Sequence, residues 1–214
     1  VKEGAKGLFW APDKGVLESS DLEGFDAVIH LGGAGIGDKR WSKKRKKLIV
    51  DSRRESTMLL SETLSKLEKK PETFIVASAI GYYGNRGDED LDEASAPGSG
   101  FLTDTVIDWE SFPDSARDAG IRVINLRNGI VLSATGGALG KMLLPWKMGG
   151  GGPLAGGRQW MSWISLDDEV YAIHHLMMTP SCSGAYNMTA PQPVTQRVFS
   201  KTLGSVLRRP AFAP

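Results

Sequence analysis

The sequence predicts an α/β protein built on a doubly wound parallel sheet, and three observations predict it. Apolar runs at residues 27–31, 73–77 and 121–127 have the length of buried strands. Stretches of helical character separate them, and strand–helix–strand alternation implies parallel pairing with right-handed crossovers. Each run exits into small or hydroxyl-bearing residues: Gly32-Gly33-Ala34-Gly35, then Ser78-Ala79, then Asn128-Gly129. Ligands of open parallel sheets bind beyond the carboxyl ends of the strands, so three such exits predict one shared crevice.

Bulk properties narrow the function. The 214 residues suffice for one large domain, or a domain with a small appendage. A hydrophobic content of 41% and a charged content of 24% are those of an ordinary soluble globule. A net charge of +1 argues against a general nucleic-acid binder. Cys182 is the sole cysteine, which excludes an internal disulfide and fits a reducing, cytoplasmic setting. His30, His174 and His175 lack the spacing of a zinc site, so no metal is expected. No apolar run reaches the length of a membrane span and no signal peptide is visible, so no membrane partner is expected. The chain begins at Val1 and its first methionine is Met58, so the natural start is expected to lie elsewhere.

Residues 1–24 are weakly patterned, with a short strand predicted at residues 7–10 and a turn at 11–15. The strand at 27–31 follows. Gly32, Gly33 and Gly35 carry no side chain, so a flat ligand can lie against the backbone there. The stretch 31–35 therefore reads either as a cofactor shelf or as a plain strand-to-loop turn. Ser42 is a good N-cap for one long helix or two abutting ones from Lys43 to about Lys69, with Leu60, Leu64 and Leu67 as a helical stripe, Leu48 and Ile49 earlier, and Pro71 ending it. The basic run at 43–47 reads as a solvated helix face. Arg53 stands apart from that run and reads either as a forked phosphate contact or as an ordinary salt bridge.

After the second strand, residues 85–100 are acidic and turn-rich. They are expected to form a mobile surface loop whose carboxylates face solvent. Helical character at 101–109 is broken by Pro113, and a second short helix stops at Gly120. Residues 136–160 are glycine-rich around a helix at 138–148, a segment suited to folding over a ligand as a lid. Residues 158–164 are strand-like. Asp167 and Asp168 cap a helix running to about Met178. A short strand at 184–188 and an amphipathic helix at 194–207 complete the chain, with no internal repeat and no low-complexity linker.

Several motifs carry a family likeness. They are Asp26-Ala27-Val28-Ile29-His30-Leu31-Gly32-Gly33-Ala34, Ile36-Gly37-Asp38-Lys39-Arg40-Trp41, Asp51-Ser52-Arg53 and Ser78-Ala79-Ile80-Gly81-Tyr82-Tyr83-Gly84. Further along come Trp109-Glu110, residues 126–132, residues 136–139, and the stretch from Gly151-Gly152-Pro153-Leu154 to Trp163-Ile164. In this order and over nearly the whole chain, the sequence resembles the extended short-chain dehydrogenase/reductases of the NAD-dependent epimerase/dehydratase superfamily. More narrowly it resembles the atypical "epimerase family protein" branch, whose members have also been labelled cell-division inhibitors.

The resemblance implies a Rossmann-like core over residues 1–132 and substrate-region segments over 133–214, some of whose strands and helices return to the core. It also implies two departures. The family opens with a strand and a Gly-x-x-Gly-x-x-Gly turn that holds the cofactor's pyrophosphate. That unit is expected to be missing here, leaving the sheet N-terminally incomplete, and the C-terminal stop at residues 209–214 falls short of the family's helical tail. The wider superfamily uses a Tyr-x-x-x-Lys pair on the helix after the Ser strand; here Phe101 and Thr105 stand in those places.

Residue by residue, the resemblance implies Leu31, Gly32, Leu48, Arg53 and Val131 as cofactor contacts. NADP is the expected cofactor, with NAD as the alternative, because Arg53 and the basic helix favour an extra phosphate. Ser78, with Tyr83 or Tyr82, remains as the hydroxyl set for catalysis, and Arg158, Gln159 and Trp163 match the substrate-lining segment. The implied function is an NAD(P)-binding epimerase or oxidoreductase on an unknown small molecule. The rivals are a dinucleotide-sensing regulator without turnover and a cofactor-free fragment. Neither the substrate nor the oligomeric state is legible.

Overall fold

The structure is a computed structural model and describes residues 7–211. Residues 1–6, the head of the weakly patterned opening, and 212–214, the last of the C-terminal stop, lie outside the described residues.

A hairpin comes first: β1 (Trp10–Ala11) pairs antiparallel with β2 (Val16–Leu17). Gly15 closes it in the left-handed region at φ 65°, where a Cβ would be strained. The central sheet then begins with β3 (Ala27–His30), continues after α1 (Lys43–Ser65) with β4 (Thr73–Ala79), and after α2 (Phe101–Ser111) and α3 (Asp114–Asp118) with β5 (Arg122–Asn128). The chain leaves the sheet through β6 (Ile130–Leu132), α4 (Gly137–Lys147), β7 (Trp160–Met161) and β8 (Trp163–Ser165). It returns by α5 (Leu166–Met178) to β9 (Gly184–Met188), then ends in β10 (Val194–Thr195) and α6 (Gln196–Leu207).

The sheet order is β3-β4-β5-β9, with every pair parallel, as strand–helix alternation requires. Its two faces are apolar for the reason that makes parallel strands read as continuous hydrophobic runs: both are covered. Phe74, Val76 and Val123 pack on one face against Leu60 and Leu64 of α1, Trp109 of α2 and Ala116 of α3. Ile75, Ile124 and Leu126 pack on the other against Leu176 of α5. Phe74, Ile75, Ile124 and Leu126 are wholly buried. Burying each such side chain contributes about 1.5–3 kcal/mol, so this double layer is the main source of stability.

The helices begin where the capping chemistry says they should. Ser42 accepts from the Arg45 amide at 3.1 Å, and Thr195 accepts from the Val198 amide at 3.4 Å. Asp167 and Asp168 do not cap α5. Ser165 does, accepting from the Asp168 amide at 3.0 Å, while the two acids occupy the first turn. The first long helix stops at Ser65 rather than near Lys69, yet Leu67 just beyond it still packs into the core.

The third sheet strand and its exit form two strands, not one. A Cβ on Gly129 would sit 2.7 Å from the Ser162 carbonyl, so only glycine allows the close approach at which the chain leaves β5. Ile130–Leu132 then pairs in parallel with β8, while β7 pairs antiparallel with β10. These two small sheets, with α4 and α6, make up the smaller C-terminal region. Among the described residues no helix is long and apolar enough to cross a membrane, and no cluster of three metal-ligating side chains occurs.

Candidate functional site

Parallel register decides which polar groups meet. Ser78 on β4 lies beside Arg127 on β5, and Arg127 beside Asn187 on β9, so three polar residues form a row at the strand exits. Arg127 is nearly buried and donates Nε to Glu110 Oε1 and Nη2 to Oε2, both at 2.9 Å. Ser78 donates to the same Oε1 at 2.6 Å. The Tyr83 hydroxyl accepts from Arg127 Nη1 at 3.0 Å and donates to Asn187 Oδ1 at 2.7 Å. The Tyr82 ring lies 3.5 Å from the guanidinium carbon and covers its face. Burial works against the Arg127 charge, but the hydrogen bonds to Glu110 and Tyr83 outweigh it and raise its pKa above the ordinary value. The group is a permanent cation held by the Glu110 carboxylate, the Tyr83 hydroxyl, the Glu93 carbonyl at 3.3 Å and the Tyr82 ring.

Two hydroxyls predicted to be catalytic, Ser78 and Tyr83, are thus brought together, but through Arg127 rather than directly. Both donate to acceptors inside the protein. Glu110, Arg127 and Asn187 are the members that sequence reasoning did not single out as site residues. A signal existed: Arg127 lies near the end of a largely apolar strand, and a buried charge needs a partner. Phe101 and Thr105, in the places of the superfamily's Tyr and Lys, are engaged elsewhere. Phe101 lies edge-on to Trp41 and beneath Lys46, and Thr105 donates back to the Phe101 carbonyl at 2.6 Å.

The stretch 31–35 leaves the edge strand β3 and crosses α1. Gly32 has no room for a Cβ, which would fall 2.8 Å from His30 Cε1. His30 is buried, bonded to Ser56 Oγ at 2.9 Å, and desolvation lowers its pKa to about 4. The Ala34 amide donates to Ser52 Oγ at 3.0 Å, and Arg53 Nη1 donates to the Ala34 carbonyl at 3.1 Å and the Ile49 carbonyl at 2.9 Å. The Arg53 guanidinium also stacks on the Trp109 ring at 4.6 Å. Of the two readings of Arg53, the salt bridge fails: no carboxylate pairs with it among the described residues. Burial, then the neighbouring Arg45 charge, hold its pKa below the usual guanidinium value, and it remains a cation. Arg45 departs from the solvated basic face. Its Nη2 donates to the Gly35 carbonyl, and its Nε is buried with no partner. Leu31 and Leu48 are both about half exposed.

The remaining predicted residues spread over two hollows. Arg158 and Gln159 line a cleft of about 1000 Å³ together with Tyr83, Asp88, Trp160 and Asn187. Trp163 does not line it; its indole donates to the Gln192 carbonyl at 3.1 Å. The carboxylates of the acidic loop that forms the other wall are exposed, as expected, and two of them also fasten the loop to neighbouring strands. Asp88 accepts from Trp160 Nε1 at 2.6 Å, and Glu93 accepts from the Asn187 amide at 2.8 Å. A second hollow of about 580 Å³ opens between Ile36–Gly37, which continue the stretch 31–35, and α4. The Val131 carbonyl lies against Gly137 at its edge.

With this geometry in place, comparison with known proteins is decisive. The model of the NAD dependent epimerase/dehydratase family matches residues 14–188. The chain belongs to that family. An epimerase family protein of Mycobacterium bovis is 41% identical over 203 residues, covering 95% of this chain and 67% of its own length. The chain thus spans about two thirds of the length of that relative. The crystal structure of human epimerase family protein SDR39U1 with NADPH superposes with a TM-score of 0.84 at 31% identity, over 92% of this chain and 69% of that one. A nucleoside-diphosphate sugar epimerase from Corynebacterium glutamicum superposes with a TM-score of 0.79 at 34% identity, over 96% of this chain and 43% of that one.

The residues of this epimerase-family chain fit a phosphate-bearing group at the stretch 31–35. Among the described residues Arg53 has no carboxylate partner and Arg45 Nε is buried without an acceptor, although Arg45 Nη2 lies 3.5 Å from Asp38 Oδ2 and that carboxylate covers Gly35. Arginine's planar fork suits a phosphate better than an ammonium would.

Proposed function

We propose that this chain forms the core of an NADP-dependent epimerase or oxidoreductase of the atypical short-chain type, acting on a small molecule. The observation that carries the reading is Arg53, a partly buried guanidinium with no carboxylate partner among the described residues, clamped to the glycine-rich exit of β3. NADPH in the human relative supports the choice of cofactor, with NAD as the alternative. In this reading Leu31 and Gly32 line the dinucleotide, Leu48 and Arg53 reach it from α1, and Val131 lies toward the nicotinamide end. The dinucleotide, when bound, supplies hydride exchange. Tyr83 Oη, which accepts from Arg127 Nη1 at 3.0 Å, is the proton-bearing atom in this reading. Ser78 shares the network through Glu110, and Arg158 and Gln159 belong to the substrate side.

A second reading has its own observation. Ser78 and Tyr83 both donate to internal acceptors, Glu110 and Asn187, and no Tyr-x-x-x-Lys pair is present. That arrangement favours a regulator that senses the dinucleotide without turnover, in the cytoplasm and linked to cell division as the branch's label implies.

Tryptophan fluorescence separates the readings, because Trp109 stacks on Arg53. Saturable quenching by NADPH, with NADPH oxidation that depends on an added carbonyl or sugar nucleotide and is lost in Ser78→Ala and Tyr83→Phe, supports the enzyme. Quenching without turnover across the panel supports the regulator. Absence of saturable quenching by NADPH or NADH contradicts both.

A further inference from the structure

The hollow beside α4 is not accounted for by any residue assigned above. We propose that it binds a small, uncharged, mainly apolar molecule, aromatic or alicyclic, seated between the loop after residues 31–35 and α4.

Its size and walls set the chemistry. A volume of about 580 Å³ lies inside the range of small-molecule pockets, about 300–1000 Å³. Ile36, Met142, Pro145, Leu154 and Phe199 line it, with the buried Trp146 behind them. The polar side chains in the wall are already engaged. Lys141 Nζ is 2.9 Å from Asp38 Oδ1. Gln196 Oε1 accepts from the Leu154 amide at 2.8 Å, and its Nε2 donates to Ser200 Oγ at 2.9 Å. A ligand here meets no unpaired charge, and the Trp146 indole N–H is the wall's side-chain donor for which no hydrogen bond is made among the described residues. A diphosphate needs forked cationic contacts, which the wall lacks. An apolar molecule needs only contact area, which the wall supplies.

The hollow is also built to admit its occupant. Gly151 lies against the Trp146 indole where any Cβ would collide, which pins the ring as a flat floor. Lys141 and Asp38 bridge α4 to the loop after Gly35, and both are largely exposed. The pair stands at the mouth in solvent, where water screens it. Ile36 and Gly37 follow Gly35 directly, so the occupant sits beside the proposed dinucleotide wall. That the occupant is the substrate rests on the proposed function; that the hollow binds it does not.

The test uses an uncharged naphthyl ketone whose emission shifts to the blue in apolar surroundings, titrated into the full chain without NADPH. The expected result is saturable binding with a blue shift, weakened at least tenfold in Ala138→Trp, which fills the hollow, and in Met142→Glu, which charges its wall. Asp90→Ala, in the other cleft, binds as the native chain does, and UDP-glucose does not displace the ketone. Far-UV circular dichroism confirms that each variant is folded, and an unfolded one is replaced by Phe199→Glu. Unsaturable binding, native affinity in the folded hollow variants, equal weakening in Asp90→Ala, or displacement by UDP-glucose overturns the proposal. A separate NADPH titration reads the dinucleotide site, so its failure leaves the result for the hollow standing.

Discussion

Arg127 and Glu110 face each other as two forks, with both nitrogen–oxygen distances at 2.9 Å, in a part of the protein from which water is nearly excluded. Seventeen residues separate them in sequence, and the pair joins β5 to α2. Through it the exits of three strands are tied into one unit, because Ser78, Tyr83 and Asn187 all bond to a member of the pair or to one another.

Removing one partner of such a pair leaves a buried charge uncompensated. Glu110→Ala is expected to destabilise the fold by about 3–5 kcal/mol. Replacing both residues with Leu or Met of similar volume is expected to cost less than the single change. Urea midpoints of the two variants check this; a single variant within about 1 kcal/mol of the native chain would show that Arg127 finds another partner.

His30 makes the protein sensitive to acid. Its folded pKa is about 4 and its ordinary value 6.5, so between these values the unfolded chain binds a proton that the folded chain refuses. Stability is therefore present above 6.5 and is lost as pH falls toward 4, by about 2–3 kcal/mol from this group. The variant His30→Gln should show a shallower loss between neutral pH and pH 4.5 in chemical denaturation, whereas equal slopes would place the titration elsewhere.

Glu169 acts in the opposite sense. Burial raises its pKa to about 7, and its Oε2 has no hydrogen-bond partner. Between the ordinary carboxylate value of 4.5 and about 7 the folded state holds the proton, so rising pH costs stability. At pH 8 Glu169→Gln is expected to stabilise by about 1–2 kcal/mol, and at pH 4.5 to change little. Because His30 and Glu169 slope in opposite directions, the native chain alone shows a flattened profile. Melting temperatures of the two variants at both pH values separate the contributions.

The fold was legible where local chemistry is strong. Thr73–Ala77 and Arg122–Arg127 are runs that only a covered sheet can hold, and Ser42 marks a helix start by its own side chain. The two-residue strands β2 and β10 were not legible, since pairing of that length is set by what the chain meets in space. Asp167 and Asp168 drew attention away from Ser165 because acids also favour a helix N-terminus. In the site, Ser78 stood out at the exit of an apolar run and Arg53 as an arginine apart from the basic stretch. Their partners did not. Glu110 was marked only as part of the Trp109-Glu110 motif, and its pairing with Arg127 is set by the packing of α2 on the sheet. The fastening of the acidic loop has the same cause: Asp88 and Trp160 are 72 residues apart.

The account rests on Arg53 as the cation that meets the dinucleotide. Calorimetric titration of NADPH into the native chain, Arg53→Lys and Arg53→Ala tests it most directly, with the Glu169→Gln chain as a folded control. The account predicts saturable binding to the native chain, weakened at least tenfold in Arg53→Ala and less in Arg53→Lys, which keeps the charge but loses the fork. Native affinity in a folded Arg53→Ala chain would contradict it.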